Sequence, residues 1–190
     1  MIQELSVSLD AWIIQDGNYG DFHVGQHASF AIEFYSEAGL SPSSPAIASL
    51  TPESDSTYRA VGQVVHRGID WWVIDVGLPM YMEQPPPHGV QVGDWVSGTI
   101  NVGVDPFFYF ERLSKRAASP ELIFDWMIER IEMATAPLVE VSPRHFVRDP
   151  GGPARVAVPR TDAWQDDNGH GDYVLRCRRL SGPGRRTLHK

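Results

Sequence analysis

Two copies of a Val-Gly turn that leads into a strand pattern constrain the fold more than any other feature of this chain. The first copy, Val24-Gly25-Gln26, precedes the strand pattern of residues 30–34, and the second, Val92-Gly93-Asp94, precedes that of residues 96–100. Each copy places a turn-forming glycine before residues that alternate, or nearly alternate, between apolar and polar. The pattern therefore predicts a mainly β protein with a barrel-like architecture, but it identifies no activity.

The composition indicates a soluble globular protein. Of the 190 residues, 42% are hydrophobic and 21% are charged, and the 17 Gly and 15 Pro predict many turns and short elements. No apolar run reaches the length of a membrane-spanning helix, and the first residues lack the pattern of a signal peptide. The single cysteine, Cys177, cannot form an internal disulfide, which is typical of a reducing compartment. We therefore expect a cytoplasmic protein with no membrane partner.

Acidic and basic residues are separated along the chain. Residues 1–140 contain 19 Asp and Glu against 6 Lys and Arg, whereas residues 141–190 contain 5 against 10, which together give the net charge of −8. This distribution predicts an acidic barrel core over 1–140 and a basic C-terminal extension over 141–190 within the same domain. An acidic body repels the phosphate backbone of nucleic acids and favours a basic partner. Ion pairing between the body and the extension is the simpler interpretation of the same pattern.

Alternation and turn residues predict further strands. They indicate an N-terminal hairpin, a second hairpin and a docked C-terminal strand, over residues 5–14 with 30–34, residues 61–65 with 69–76, and residues 172–180. In the last strand, Tyr173, Leu175 and Cys177 share one face and Arg176 and Arg178 share the other. The chain from residue 181 onward is predicted to fray.

One α-helix is predicted, over residues 119–135. Ser119 is a favourable N-cap, Pro120 suits the first helical position, and Glu121 complements the positive end of the helix dipole. The apolar residues that follow lie on one side of a helix: Leu122, Ile123, Trp126, Ile131 and Ala134.

The segment from Tyr58 to Arg116 resembles an OB-fold, and within that class the S1-like RNA-binding barrels. The resemblance is carried by the pieces Gly62-Gln63-Val64-Val65, Ile74-Asp75-Val76-Gly77, Val92-Gly93-Asp94-Trp95-Val96-Ser97-Gly98-Thr99-Ile100 and Val104-Asp105. It implies a closed or partly open five-stranded barrel, often with one capping helix. S1-like barrels usually present surface aromatics among basic residues, whereas the Trp pair here is flanked by Asp70 and Asp75. RNA binding is therefore not inferred from the resemblance.

Two short stretches have the residue types of metal sites. His23 and His27 are four residues apart, which would place them on one strand face but too far apart to share a zinc ion, and no second pair completes the set. Residues Asp166 to Asp172 contain alternating carboxylates as in a calcium loop, without the distal Glu of an EF-hand. Because Asn-Gly is a strong hairpin-turn dipeptide, we favour a turn for this loop, and calcium binding stays the alternative.

Six residues are candidate binding residues: Trp71, Trp72, Phe107, Tyr109, Arg176 and Arg178. As a strand, residues 107–110 would have one aromatic face that needs a cover, either from the helix or tail or from a protein partner. The adjacent tryptophans would point to opposite faces of a strand, so that one of them either stacks on a ligand or packs beneath a loop. The two arginines would serve a nucleic-acid site in the tail, and Cys177 between them is expected to be an inert core thiol.

The sequence contains no nucleophile elbow, no phosphate-binding glycine loop and no Cys–His pair. We therefore name no catalytic residue and expect no cofactor or metal. The function that fits best is a non-enzymatic interaction protein of the bacterial cytoplasm, for example an immunity- or antitoxin-like protein with a basic protein partner. Self-association, a single-stranded nucleic-acid binder that uses the Arg-rich tail, and a hydrolase with scattered site residues are the alternatives that the sequence leaves open.

Overall fold

The computed structural model describes residues 2–149 and 155–188. Strands make up 49% of it and helices 9%, so the predicted mainly β fold is confirmed. The strands are β1 Glu4–Asp10, β2 His27–Phe30, β3 Ile32–Tyr35, β4 Ser41–Ser43, β5 Ser49–Ser54, β6 Thr57–Arg67, β7 Trp72–Asp75, β8 Pro79–Met82, β9 Trp95–Val104, β10 Phe124–Ala134, β11 Leu138–Ser142, β12 His145–Arg148, β13 Arg155–Val158 and β14 Asp172–Arg179. Two short α-helices, α1 Ala11–Gln15 and α2 Phe108–Glu111, and two 3-10 turns, Leu113–Lys115 and Asp166–Gly169, connect them. Within the described ranges, no helix is long and apolar enough to cross a membrane.

Five strands close into a barrel, as predicted. β9 pairs with β3 and β6, β7 lies between β6 and β8, and a parallel pairing of β8 with β3 closes the ring. The predicted second hairpin is the β6–β7 pair. Four of the five barrel strands come from the segment with the OB-fold resemblance, but β3 comes from the first Val-Gly copy. The two copies therefore lead to neighbouring strands of one barrel wall, because β3 and β9 are antiparallel partners.

A second group of strands extends from the barrel through β1. β1 touches β9 in parallel and pairs along its whole length with β14, which in turn pairs with β10. The docked C-terminal strand is confirmed, with Tyr173, Leu175 and Cys177 buried and Arg176 and Arg178 exposed. The N-terminal hairpin differs from the prediction. β2 pairs with β10 instead of β1, since 16 residues including α1 separate the two strands and carry the chain past a hairpin turn.

Two hydrophobic cores are present. The larger one fills the barrel and continues beneath the second group of strands. The smaller one lies outside the barrel and contains Ala31, Trp71, Val73, Tyr81, Tyr109, Leu113, Leu122 and Ile123. Trp71 and Trp72 are each 1% exposed and belong to different cores. The two indoles thus point to opposite faces, as predicted for neighbours in an extended chain, and both are covered.

The helix predicted over residues 119–135 is not formed, because residues Phe124–Ala134 are strand β10. The side chains of Phe124, Trp126 and Ile128 alternate inward as in any strand. A β-bulge between Ile128 and Arg130 then inserts one extra residue, so that Ile131 is the next buried position. The resulting three-residue spacing imitates the stripe of a helix. The capping signals before it are local, and pairing with β14, β2 and β13 outweighs them.

The aromatic run 107–110 is also different from the prediction, since it forms the helical turn α2 instead of a strand. The carboxylate of Asp105 accepts hydrogen bonds from the backbone N–H groups of Phe107 and Tyr109, each 3.1 Å long, and thereby starts the turn. Tyr109 is fully buried in the smaller core, against which Phe108 and Phe110 also pack. The run therefore seals the outer face of the barrel itself.

The chain end described here is docked rather than frayed. Ile123 and Arg185 exchange two backbone hydrogen bonds of 2.9 and 2.8 Å, and the Arg185 guanidinium binds both oxygens of Asp125 at 2.6 Å. Leu188 packs against the smaller core. The Gly-Pro-Gly stretch, from which fraying was predicted, instead lets the backbone of this segment approach residue 121 closely. A Cβ at Gly184 would lie 2.3 Å from the Glu121 carbonyl oxygen, so only glycine fits there.

Candidate functional site: an acidic cleft beside the barrel

Most of the aromatic candidates from the sequence are buried in the hydrophobic cores. Trp71, Trp72 and Tyr109 have at most 1% of their surface exposed, so they offer no face to a ligand in this structure. Phe107 is half-buried and makes an edge-to-face contact with Trp12 at 6.4 Å between ring centroids. Of the four, only Phe107 lies near open surface, and the residue beside it, Trp12, was not anticipated as a site residue.

The arginine candidates are paired with carboxylates of the acidic body. Arg176 binds Glu132 at 3.0 Å and Arg178 binds Glu129 at 2.6 Å, both across the β14–β10 pair. Since these pairs are partly exposed, each contributes little to stability. The two carboxylates nevertheless offset the positive charge that would attract a nucleic-acid strand. The charge separation in the sequence thus corresponds to ion pairs between the acidic body and the basic extension.

The loop from Asp166 to Asp172 uses its carboxylates internally. Asp167 binds Arg148 at 2.6 Å, and Asp166 accepts a 2.8 Å hydrogen bond from the Tyr173 hydroxyl. The loop is not a hairpin turn, because the strands that it joins, β13 and β14, are separated by β10. Asp167 and Asn168 adopt positive φ angles of 49° and 56°, which is the local conformation that Asn-Gly favours. Among the described residues, no group of three His, Cys, Asp or Glu could hold a metal ion.

The arrangement with the clearest chemical character is a cleft of about 160 Å³ where β1, β3 and β9 meet α1. Its polar and aromatic lining consists of Ser8, Asp10, Trp12, Glu33, Phe34, Tyr35 and Asn101. Trp12 and Tyr35 are 46% and 51% exposed, and the Trp12 indole donates a 3.3 Å hydrogen bond to Asp10 Oδ2. We call this group the acidic cleft. It joins carboxylates to exposed aromatic rings, a combination that suits a cation.

A glycine keeps this cleft open. Gly103 lies opposite Glu33 across the β3–β9 pair and beside Ser8 across the β1–β9 contact. A Cβ at Gly103 would lie 2.9 Å from Ser8 Oγ, closer than real Cβ atoms come. The strand position that faces Glu33 therefore carries no side chain, and the space beside the carboxylate stays unfilled.

Glu33 is electrostatically unusual. It is half-buried, and no described residue forms an ion pair or hydrogen bond with its carboxylate, unlike the other half-buried carboxylates of the described ranges. Burial, with a smaller contribution from the nearby charge of Asp105, raises the pKa of Glu33 to about 7. Burial and the neighbouring Asp172 also raise the pKa of Asp10 above its ordinary value. Both carboxyls of the cleft would thus gain from a cation beside them.

Asp105 adds a third carboxyl behind the cleft. It is fully buried, and its Oδ1 accepts a 2.5 Å hydrogen bond from Tyr81 in addition to the two backbone donors of α2. Among the described residues, neither its Oδ2 nor the hydroxyl of Tyr19 has a hydrogen-bond partner, and both atoms are buried. Burial raises the pKa of Asp105 against the opposing effect of these donors. The residual negative potential of Asp105 reaches Glu33 and strengthens the acidic character of the site.

Sequence reasoning did not identify the acidic cleft, because its residues come from three separate segments. Asp10, Glu33 and Asn101 occupy ordinary polar positions of alternating strands, and only the fold brings them together. The one local signal was the interrupted alternation at Gly103 within an apolar strand, which is typical of a close approach by another element.

Comparisons with known proteins add no further identification. The chain matches no protein-family model, no curated protein and no solved structure.

Proposed function

We propose that this protein is a binding protein whose acidic cleft receives a cationic side chain, Arg or Lys, of a basic protein partner. The observation that carries the proposal is Glu33, a half-buried carboxylate without a counter-ion among the described residues. Burying an unpaired carboxyl is costly, and a cation in the cleft would relieve that cost. The net charge of −8 supplies the long-range attraction that would bring a basic partner to the surface.

The surroundings of Glu33 support a side chain rather than a bare ion. Exposed rings of Trp12 and Tyr35 line the same cleft, and aromatic faces attract guanidinium and ammonium groups. Arg148 and Arg155, whose charges act on Asp10, are already bound to Asp167, Asp55 and Asp172. The cation therefore has to come from outside the described part of the chain. An immunity- or antitoxin-like role with a basic toxin is one concrete form of this function.

A hydrolase is the second candidate, because a Glu whose pKa is about 7 is suited to general acid–base catalysis near neutral pH. We rank a hydrolase behind a binding protein for two reasons. Acid–base pairs generally have pKa values pushed apart by their environments, whereas the pKa values of Asp10 and Glu33 are both raised. The cleft of about 160 Å³ is also smaller than the roughly 300–1,000 Å³ of most small-molecule sites.

The test is affinity capture from the host lysate with three immobilised proteins: wild type, Glu33→Gln and Glu121→Gln. Glu121 is exposed and lies outside the cleft, so its variant loses the same charge and serves as the matched control. We expect wild type and Glu121→Gln to retain the same basic proteins at low salt, and Glu33→Gln to lose at least one of them. Equal retention by all three variants, or retention of no basic protein by wild type, would contradict the proposal.

A further inference from the structure

The described chain contains a counterpart to Glu33, a half-buried arginine that forms no ion pair with a described carboxylate. Five arginines are half-buried, and four of them form ion pairs: Arg116, Arg148, Arg155 and Arg185. The fifth, Arg179 at the end of β14, has no ion pair with any described residue. Its guanidinium lies 4.2 Å from the centroid of the Phe124 ring. This stacking fixes the plane of the group and leaves its edge for hydrogen bonds.

A groove of about 730 Å³ lies beside Arg179. Its donors are Gln3, His27, Arg178, Arg179 and Ser181. Arg178 binds Glu129 through Nε, and its two Nη nitrogens donate no hydrogen bond to a residue of the described ranges. Two arginines thus line the groove, and each retains N–H groups that no described residue accepts.

The one carboxylate in the groove lining is already neutralised. Asp125 binds both terminal nitrogens of Arg185 at 2.6 Å and accepts a 2.5 Å hydrogen bond from Ser29. With Asp125 bound to Arg185 and Arg178 bound to Glu129, Arg179 is the arginine of the groove lining that forms no ion pair with a described residue. Burial lowers the pKa of Arg179, and the smaller opposing effect of the Asp75 charge does not cancel it.

We infer that this groove is an oxyanion site that binds the phosphate group of a small phosphorylated molecule, with Arg179 as its central ligand and Arg178 as the second. Planar guanidinium groups bind phosphate oxygens through paired N–H donors, and a stacked guanidinium loses little conformational freedom on doing so. His27 and Ser181 add donors at the rim of the groove. The site lies outside the acidic cleft and does not depend on the function proposed for that cleft.

Isothermal titration with inorganic phosphate and with glycerol 3-phosphate, at constant ionic strength, tests the inference and separates the free ion from a phosphomonoester. We expect saturable binding of at least one of them to wild type, weakened about tenfold or more in Arg179→Gln, since a charged hydrogen-bonding partner is lost. Arg67→Gln, which removes an exposed arginine outside the groove, is the matched control and should bind like wild type.

Chemical-shift mapping on wild type guards against a folding defect in Arg179→Gln. Phosphate should shift the amide resonances of Gln3, His27 and residues 178–181 before any others. Absence of binding of both probes at about 10 mM would overturn the inference. An equal loss of affinity in Arg67→Gln would also overturn it, because non-specific charge attraction depends equally on every arginine. Binding of a single-stranded oligonucleotide that depends on Arg179, with neither small probe bound, would also overturn it and would favour a nucleic-acid strand as the ligand.

Discussion

The Tyr81 hydroxyl donates a 2.5 Å hydrogen bond to Asp105 Oδ1 in the fully buried space between the barrel and the smaller core. The same oxygen receives the backbone donors that start α2. One carboxylate thus connects barrel strand β8 to the helical turn that seals the barrel. It also provides part of the negative potential at Glu33.

The first prediction concerns this connection. Tyr81→Phe removes one donor from a buried carboxylate and should lower the free energy of unfolding by about 1–3 kcal/mol. Urea unfolding monitored by tryptophan fluorescence measures the change. The control is Tyr35→Phe, which removes a hydroxyl from a side chain that is 51% exposed and should change stability by less than about 0.5 kcal/mol. Equal effects of the two variants would show that the Tyr81 hydrogen bond stabilises the fold no more than an exposed hydroxyl does.

The second prediction concerns the pH dependence that Glu33 creates. Its pKa rises from 4.5 to about 7 on folding, so the unfolded chain releases this proton at lower pH than the folded protein does. Stability from this group is therefore present below pH 4.5, falls between about pH 4.5 and 7, and stays low above that window. Glu33→Gln should flatten this decline.

At pH 8, Glu33→Gln should be more stable than wild type by up to about 3 kcal/mol, the equivalent of the pKa shift. Urea unfolding at pH 4, 6 and 8 gives the difference curve between the two proteins, in which the contribution of Asp10 largely cancels and the coupling between Asp105 and Glu33 remains. A difference that does not vary with pH would contradict the raised pKa. Because this variant is also expected to lose its basic partner, increased stability would separate lost binding from misfolding.

Several strands with an alternating pattern could be predicted from the sequence, whereas β10 could not. β6, β7, β9 and β14 follow from period-2 patterns and turn residues. β10 was predicted as a helix because its bulge at Ile128 and Arg130 spaces the buried residues by three, and a bulge depends on the partner strand. The acidic cleft depends on contacts between distant segments, such as Glu33 with Gly103, which no local pattern encodes.

The third prediction concerns the close approach of the C-terminal segment. A Cβ at Gly184 would lie 2.3 Å from a backbone oxygen of residue 121 and 3.0 Å from the Phe124 ring, so Gly184→Ala should displace the segment. We expect faster hydrogen exchange at Arg185 and Ile123, whose amides bond each other's carbonyls, and earlier cleavage by trypsin after Arg185. The matched control is Gly20→Ala, since a Cβ there would meet nothing within 4 Å. Unchanged hydrogen exchange in Gly184→Ala would mean that Glu121 and Phe124 shift to make room for the Cβ and that the C-terminal segment stays docked.

The fourth prediction is that the ion pair between Arg185 and Asp125 stabilises the docked position of the same C-terminal segment. The two groups are joined by two hydrogen bonds of 2.6 Å, and their side chains are only 20% and 34% exposed, so the pair is less screened than a surface salt bridge. A double-mutant cycle with Arg185→Gln and Asp125→Asn should give a coupling energy of about 1–2 kcal/mol. The control cycle uses Arg178 and Glu129, which are 46% and 43% exposed and should couple by less than about 1 kcal/mol. If both cycles gave the same coupling, the lower exposure of the Arg185 pair would add nothing, and backbone pairing with Ile123 together with the packing of Leu188 would hold the segment in place.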